Sequence, residues 1–296
     1  MSTKTRVPAT PMGRRYQAVK AEVEEGAVRE IGRAEQQLRG ARKTAQNPAA
    51  LTDDFLDTIR LFEEIHEPNI EEGFYDGGNE GRKTLYEDPA YVGFGNAGTN
   101  LIAGNLSRPG SDGQPVGAST SPDLPDLIYL DRELVPTRSR SQEVGYDDPD
   151  GGERVRLDLL FGASRYGTAL KGELAPVVAE VKALSDENVY YALIQGLNCC
   201  AQLSSTAQRD RLAETYHELS AECPMELWIV LAEHNSRGPE KAEMARLAHE
   251  IVQVFMQKDG IADHLSAIRC VDAEVNIALT DRSGSATWSV PGRIES

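Results

Sequence analysis

Three features of this chain predict an α/β fold, with a mixed sheet flanked by helices. Two amphipathic stretches open it, apolar runs of strand length gather between Leu127 and Ala183, and runs of helix and strand length alternate from Ser185 onward. From the second helix on, the segments read αβββαβ.

From Tyr16 to Ala45, without a Gly-Pro break, Val19, Val23, Ala27, Ile31, Ala34, Leu38 and Ala41 recur every three or four residues. This spacing predicts one long helix with one apolar stripe. Such a helix suits packing along the body of the protein or against a second copy as a homodimer, and the spacing leaves both open. The stripe lacks large anchoring side chains, which argues against a membrane surface. Thr52 to about His66 predicts a second helix, with Thr52 as N-cap, acids in the first turn, and Phe55, Leu56, Ile59, Phe62 and Ile65 on one side. Gly73 to Asp126 degrades into Gly, Asn, Pro and Ser, and about 95–126 reads as a long loop, of a length that is usually functional or unstructured.

Strands are expected at Leu127 to Leu134, Val155 to Leu160 and Pro176 to Ala183, with a hairpin turn through Gly162 to Gly172. Ser185 is placed to cap a helix from Asp186 to about Leu203, and an amphipathic stretch continues to Leu219. Met225 to Ala232 reads as a dense apolar strand, Pro239 to Lys258 as a helix closed near Gly260, and Ser266 to Leu279 as a last strand. Residues 1–50 thus form a tail and a helix for packing or oligomerisation, and residues 51–296 one catalytic-sized domain.

With 296 residues and 40% hydrophobic content, the chain can bury a substantial core. No apolar run approaches the roughly 20 residues of a membrane span, and the N-terminus lacks the apolar centre of a signal peptide, so a soluble cytoplasmic protein is expected. The four cysteines form no C-x-x-C pair and the five histidines show no H-x-H or H-E-x-x-H spacing, which leaves little support for zinc or a histidine-ligated metal. A net charge of −16 opposes indiscriminate nucleic-acid binding, because phosphate affinity comes largely from Lys and Arg. Any such site must be a local basic groove. Arg132, Arg138, Arg140, Arg154 and Arg156 are one source for it; a solvated mixed-charge loop is the alternative, since Glu143, Asp147, Asp148 and Asp150 lie among them.

The chemistry concentrates in RVRLDLLFGA and PVVAEVKA. Strand side chains alternate between faces, so Glu180 and Lys182 share a surface, and Asp158 joins them if the two strands pair as a hairpin. Adjacent carboxylates repel, and a hard divalent cation such as Mg²⁺ relieves this by taking oxygen ligands from Asp158 and Glu180, with the Val181 carbonyl as a third. Lys182 then stands where it can orient a water or help to deprotonate it. An E-x-K triplet is expected about once by chance in a chain so rich in Glu and Lys, so its weight comes from context: a core strand, an acid on the strand before it and a capped helix after it. The alternative is an edge strand with a solvated Glu-Lys pair and a separate surface Asp.

These residues resemble the PD-(D/E)xK nuclease superfamily, with Asp158 and then Glu180-Val181-Lys182 in its motif positions. The resemblance implies a restriction-endonuclease-like αβββαβ core and Mg²⁺-dependent cleavage, with Mn²⁺ as a substitute, of DNA or less often RNA. A DNA endonuclease of nucleic-acid defence or repair would fit it. Many members carry a Gln on the following helix, and Gln195 in YYALIQGLNCC occupies a comparable place, either holding the attacking water or a phosphate or standing as an ordinary surface Gln. Cys199 stands where the exonuclease-like branch has Tyr, and Leu157 where Pro often precedes the Asp. An acid from the first core helix sometimes completes such sites, which makes Glu63 and Glu64 candidates.

Other signals carry less. Gly93 to Gly98 satisfies G-x-G-x-x-G, but no sustained helix pattern follows it, and no G-x-x-x-x-G-K-[ST] loop is present. Ser164 lacks a G-x-S-x-G elbow. Tyr190 and Tyr191 could stack on bases, although one core and one surface aromatic is the commoner arrangement. The rival to an enzyme is a catalytically inactive nuclease-like scaffold, an acidic module that binds a protein partner through its N-terminal helix.

Overall fold

The computed structural model describes residues 10–28, 33–66, 125–134, 136, 155–164, 174–183, 189–232, 239–277 and 284–289. The GxGxxG segment, Ser185, the loop at about 95–126, and Arg138, Arg140 and Arg154 lie outside them. The helices are α1 (Pro11–Val28), α2 (Arg33–Gln46), α3 (Pro48–Leu61), α4 (Val189–Leu203), α5 (Thr206–Thr215) and α6 (Pro239–Met256). The strands are β1 (Asp126–Leu134), β2 (Leu157–Ser164), β3 (Ala175–Ala183), β4 (Met225–Ala232), β5 (Leu265–Ile277) and β6 (Gly284–Ser289).

The six strands among the described residues form one mixed sheet in the order β1-β2-β3-β4-β5-β6. The first three make an antiparallel meander, β3, β4 and β5 run parallel, and β6 returns antiparallel. Helices α4 and α6 cross between the parallel strands. Because the strands add in one direction and such crossovers share one hand, both helices fall on the same face and touch each other. The strand residues beneath them include Leu160, Val178, Leu227, Ile229 and Leu231. Residues of the other parity, among them Phe161, Val177, Ala179 and Val230, are buried too, so β3 and β4 are apolar on both faces.

The single N-terminal helix is two. A straight helix would hold Glu22 and Gly40 roughly 27 Å apart, yet a Cβ on Gly40 would lie 3.1 Å from Glu22 Oε2. Gly26 falls in the last turn of α1 and Gly32 immediately precedes α2 in sequence, and glycine costs helix stability. The fold-back lets both helices bury apolar side chains on the same body: Met12, Tyr16 and Val19 from α1 join Leu38 and Ala41 from α2 in one core. The described residues of the stripe, Val19, Leu38 and Ala41, adopt the first of the two packing arrangements open in the sequence, on the body of the protein.

Thr52 is not an N-cap. Helix α3 begins earlier, with Asn47 at the cap and Pro48 in its first turn, and the Thr52 hydroxyl donates back to the Pro48 carbonyl at 3.4 Å. A π-helical turn, Phe62–His66, follows α3. Strand β2 runs through Gly162 instead of turning there, because Gly162 pairs with Pro176 and its missing side chain is the space that Leu174 fills. A Cβ there would lie 2.6 Å from Leu174 Cδ1. Strand β6, GSATWS, has no apolar run to announce it.

Candidate active site

The β2–β3 ladder pairs Ala163 with Ala175, Phe161 with Val177 and Leu159 with Ala179. Continued by one residue, that register sets Asp158 opposite Glu180, on the face that carries Leu160 and Val178. The ladder stops there. Odd residues of β3 point their N–H and C=O groups toward β2, so Val181 is next in turn, and its N–H donates to Asp158 Oδ2 at 2.8 Å. The Asp158 carboxylate thus stands in for a backbone acceptor where the strands part. The Val181 carbonyl points to the same opening, since both polar groups of an extended residue face the same neighbour.

Glu180 is 0% exposed and Lys182 5% exposed, on a central strand that lies between β2 and β4. The solvated edge-strand alternative is therefore overturned. Room for Glu180 comes from Gly196 in the middle of α4: a Cβ at this position would lie 3.2 Å from Glu180 Cγ and 2.3 Å from Leu227 Cδ1. A glycine inside an otherwise apolar helix was the available sign of this close approach.

Neither Glu180 oxygen receives a hydrogen bond from a donor. Burial first, then the Asp158 charge, raise the Glu180 carboxyl well above its ordinary range, while Lys182 pulls it down. The two carboxyls can bond each other only with a proton between them. A hard divalent cation would relieve the same repulsion, and the donor set suits one: two carboxylates and one carbonyl, all oxygen. Among the described residues no group of three or more His, Cys, Asp or Glu side chains is placed to hold a metal.

Above Glu180 and Lys182 lie aromatic rings that the sequence did not connect with them. Lys182 Nζ sits 5.2 Å from the ring centroid of Tyr191, on the first turn of α4. The Tyr191 ring stacks on Tyr16 of α1, with centroids 5.5 Å apart, and the two hydroxyls share a hydrogen bond of 2.7 Å. Tyr190 is core, bonded to Thr44 Oγ1 at 2.7 Å. Cys199 and Cys200 are wholly buried behind Glu180, and burial with its charge pushes both thiols up.

Gln195 comes to the open side of the site. Its Nε2 donates to the Arg156 carbonyl at 3.0 Å, two residues before Asp158, which ties α4 to the entry of β2. Arg156 is exposed. Glu63 and Glu64 are exposed on the π-turn, and neither is among the charges that act on Glu180. Ser164 is buried within β2.

Among the described residues, the fold and site define an α/β protein with a mixed six-stranded sheet and, where an antiparallel pair of strands parts, a centre of buried Glu180 and Lys182 beside half-buried Asp158. No family model, curated protein or solved structure matches this chain. No helix among the described residues is long and apolar enough to cross a membrane.

Proposed function

We propose that this chain is a metal-dependent nuclease that hydrolyses phosphodiester bonds, DNA before RNA, on a restriction-endonuclease-like core. One observation carries the reading: the Glu180 carboxylate is wholly buried, lacks a donor at either oxygen and faces a second carboxylate. A buried ionisable group without a partner is costly unless it serves a site. Among the described residues the order α3-β1-β2-β3-α4-α5-β4 contains the αβββαβ succession that the motif implies, with α5 added before β4.

Asp158, Glu180 and the Val181 carbonyl would hold Mg²⁺, with Mn²⁺ as its substitute. The bound cation supplies a more acidic water and neutralises charge that builds on the phosphate. Lys182, fixed beside Glu180, orients the attacking water and offers positive charge to the phosphate. Gln195 braces the strand entry that carries Asp158 and presents its amide to the substrate side.

The test is incubation of linear, circular and single-stranded DNA, and of RNA, with Mg²⁺, Mn²⁺ or EDTA, beside Lys182→Ala. Cleavage that EDTA and the substitution both abolish is the expected result. Cleavage that survives both removes this site from the reaction. No cleavage of any substrate supports a second reading, an inactive nuclease-like scaffold that binds a protein partner. The observation in its favour is closure: with Glu180 at 0% and Lys182 at 5% exposure, a phosphate has little direct access.

A further inference from the structure

Lys182 carries a charge on a flexible stem, and a site that uses it must fix its direction. The Tyr191 ring lies 5.2 Å from Nζ, within the roughly 6 Å over which an aromatic face attracts a cation. Tyr191 is itself held. Tyr16, 5% exposed on α1, stacks on it at an interplanar angle of 26° and bonds its hydroxyl at 2.7 Å, across 175 residues of chain. Burial pushes the Tyr16 phenol up, so it stays neutral and keeps its proton for that bond. Lys182 has further contacts, so the ring gives direction and is not its sole anchor.

The geometry points to Tyr191 as a positioning residue: its ring holds the Lys182 ammonium toward Glu180, and Tyr16 from α1 fixes the plane of the ring. The N-terminal helix is then part of the site. The positioning itself stands on geometry; its consequence for cleavage rests on the nuclease reading.

Three variants and two readouts test it: Tyr191→Leu removes the ring, whereas Tyr191→Phe and Tyr16→Phe each keep both rings and remove the hydroxyl pair. In protein labelled with ¹³C-lysine, with Lys182 assigned through Lys182→Arg, the Lys182 Hε resonances should be displaced upfield by the ring current. The displacement should persist in Tyr191→Phe and vanish in Tyr191→Leu. In Mg²⁺ assays, Tyr191→Leu should lower kcat on the order of tenfold to a hundredfold with KM little changed, since misplacement costs rate more than binding. Tyr191→Phe and Tyr16→Phe, which lose the same hydroxyl pair and keep both rings, should each stay within about twofold of wild type. An undisplaced wild-type resonance overturns the proposal whether or not the variants fold, and so does equal impairment of Tyr191→Phe and Tyr191→Leu. A displaced resonance that Tyr191→Leu abolishes, in a protein that cleaves nothing, upholds the positioning and removes the nuclease reading alone.

Discussion

Glu180 sets stability against use. Its carboxyl is raised above the ordinary 4.5 by burial and by Asp158, so over the interval above 4.5 the folded protein keeps a proton that the unfolded chain has released. Stability from this group is therefore greatest below 4.5 and falls as pH climbs toward the raised value. Glu180→Gln removes the penalty. In EDTA its melting temperature should exceed that of wild type at pH 8, by roughly 2–4 °C for each kcal/mol regained, and the two should converge near pH 4. Added Mg²⁺ should raise the wild-type Tm and leave the variant's unchanged; a variant that melts lower at pH 8, or gains equally from Mg²⁺, refutes this account of the carboxylate. The thiols offer a second check. Cys199 and Cys200 are wholly buried with raised thiols, whereas Cys223 and Cys270 are part-exposed. A thiol reagent should modify no more than those last two in the native protein at pH 8 and all four after denaturation.

Between elements, single groups decide how helices seat. The Thr58 hydroxyl accepts from the Met12 N–H at 2.9 Å and donates to the Asp54 carbonyl at 2.7 Å, which joins α1 to α3 inside the core. Thr58→Val leaves the Met12 amide unpaired, and urea unfolding should show a loss of about 1–3 kcal/mol. Gly196→Ala sets a helix-propensity gain of about 1 kcal/mol against a clash with Leu227. Overpacking a dense core costs about 1–3 kcal/mol, so net destabilisation with displacement of Glu180 is expected; a more stable Gly196→Ala would show that Leu227 moves aside freely. The same contrast explains what the sequence could reveal. Strand alternation is local, so Asp158, Glu180 and Lys182 were legible, as was the αβββαβ order. The break between α1 and α2 depends on what each half gains by packing elsewhere, and Gly162 reads as a turn until Leu174 is seen to fill its place. Tyr16 and Tyr191 meet over 175 residues, which no spacing rule spans.

At the scale of the whole molecule, charge is unevenly laid out. The first 46 residues carry ten Lys and Arg against five acids, and the other 250 carry 21 against 42. Part of that basic charge is already engaged with the body, in Arg15 with Asp54 at 2.7 Å and Arg42 with Glu243 at 2.7 Å. On the proposed nuclease reading, nucleic acid is held through few phosphate contacts, and cleavage should decline only mildly between roughly 50 and 200 mM salt, by far less than the about 10³-fold of a protein with six or more such contacts. A steep decline would indicate a broad basic groove. The strictly sequential sheet has another consequence, for a chain that emerges from its N-terminus. Every strand docks beside the one made just before it, so the sheet can grow without waiting for the distal end. During that growth PVVAEVKA is an open apolar edge until Met225–Ala232 arrives, and such edges recruit other chains. Glu180 and Lys182 then act as gatekeeper charges in its middle. Glu180→Gln should refold from denaturant in lower yield than wild type, with more material lost to light-scattering aggregates, although its folded form melts higher.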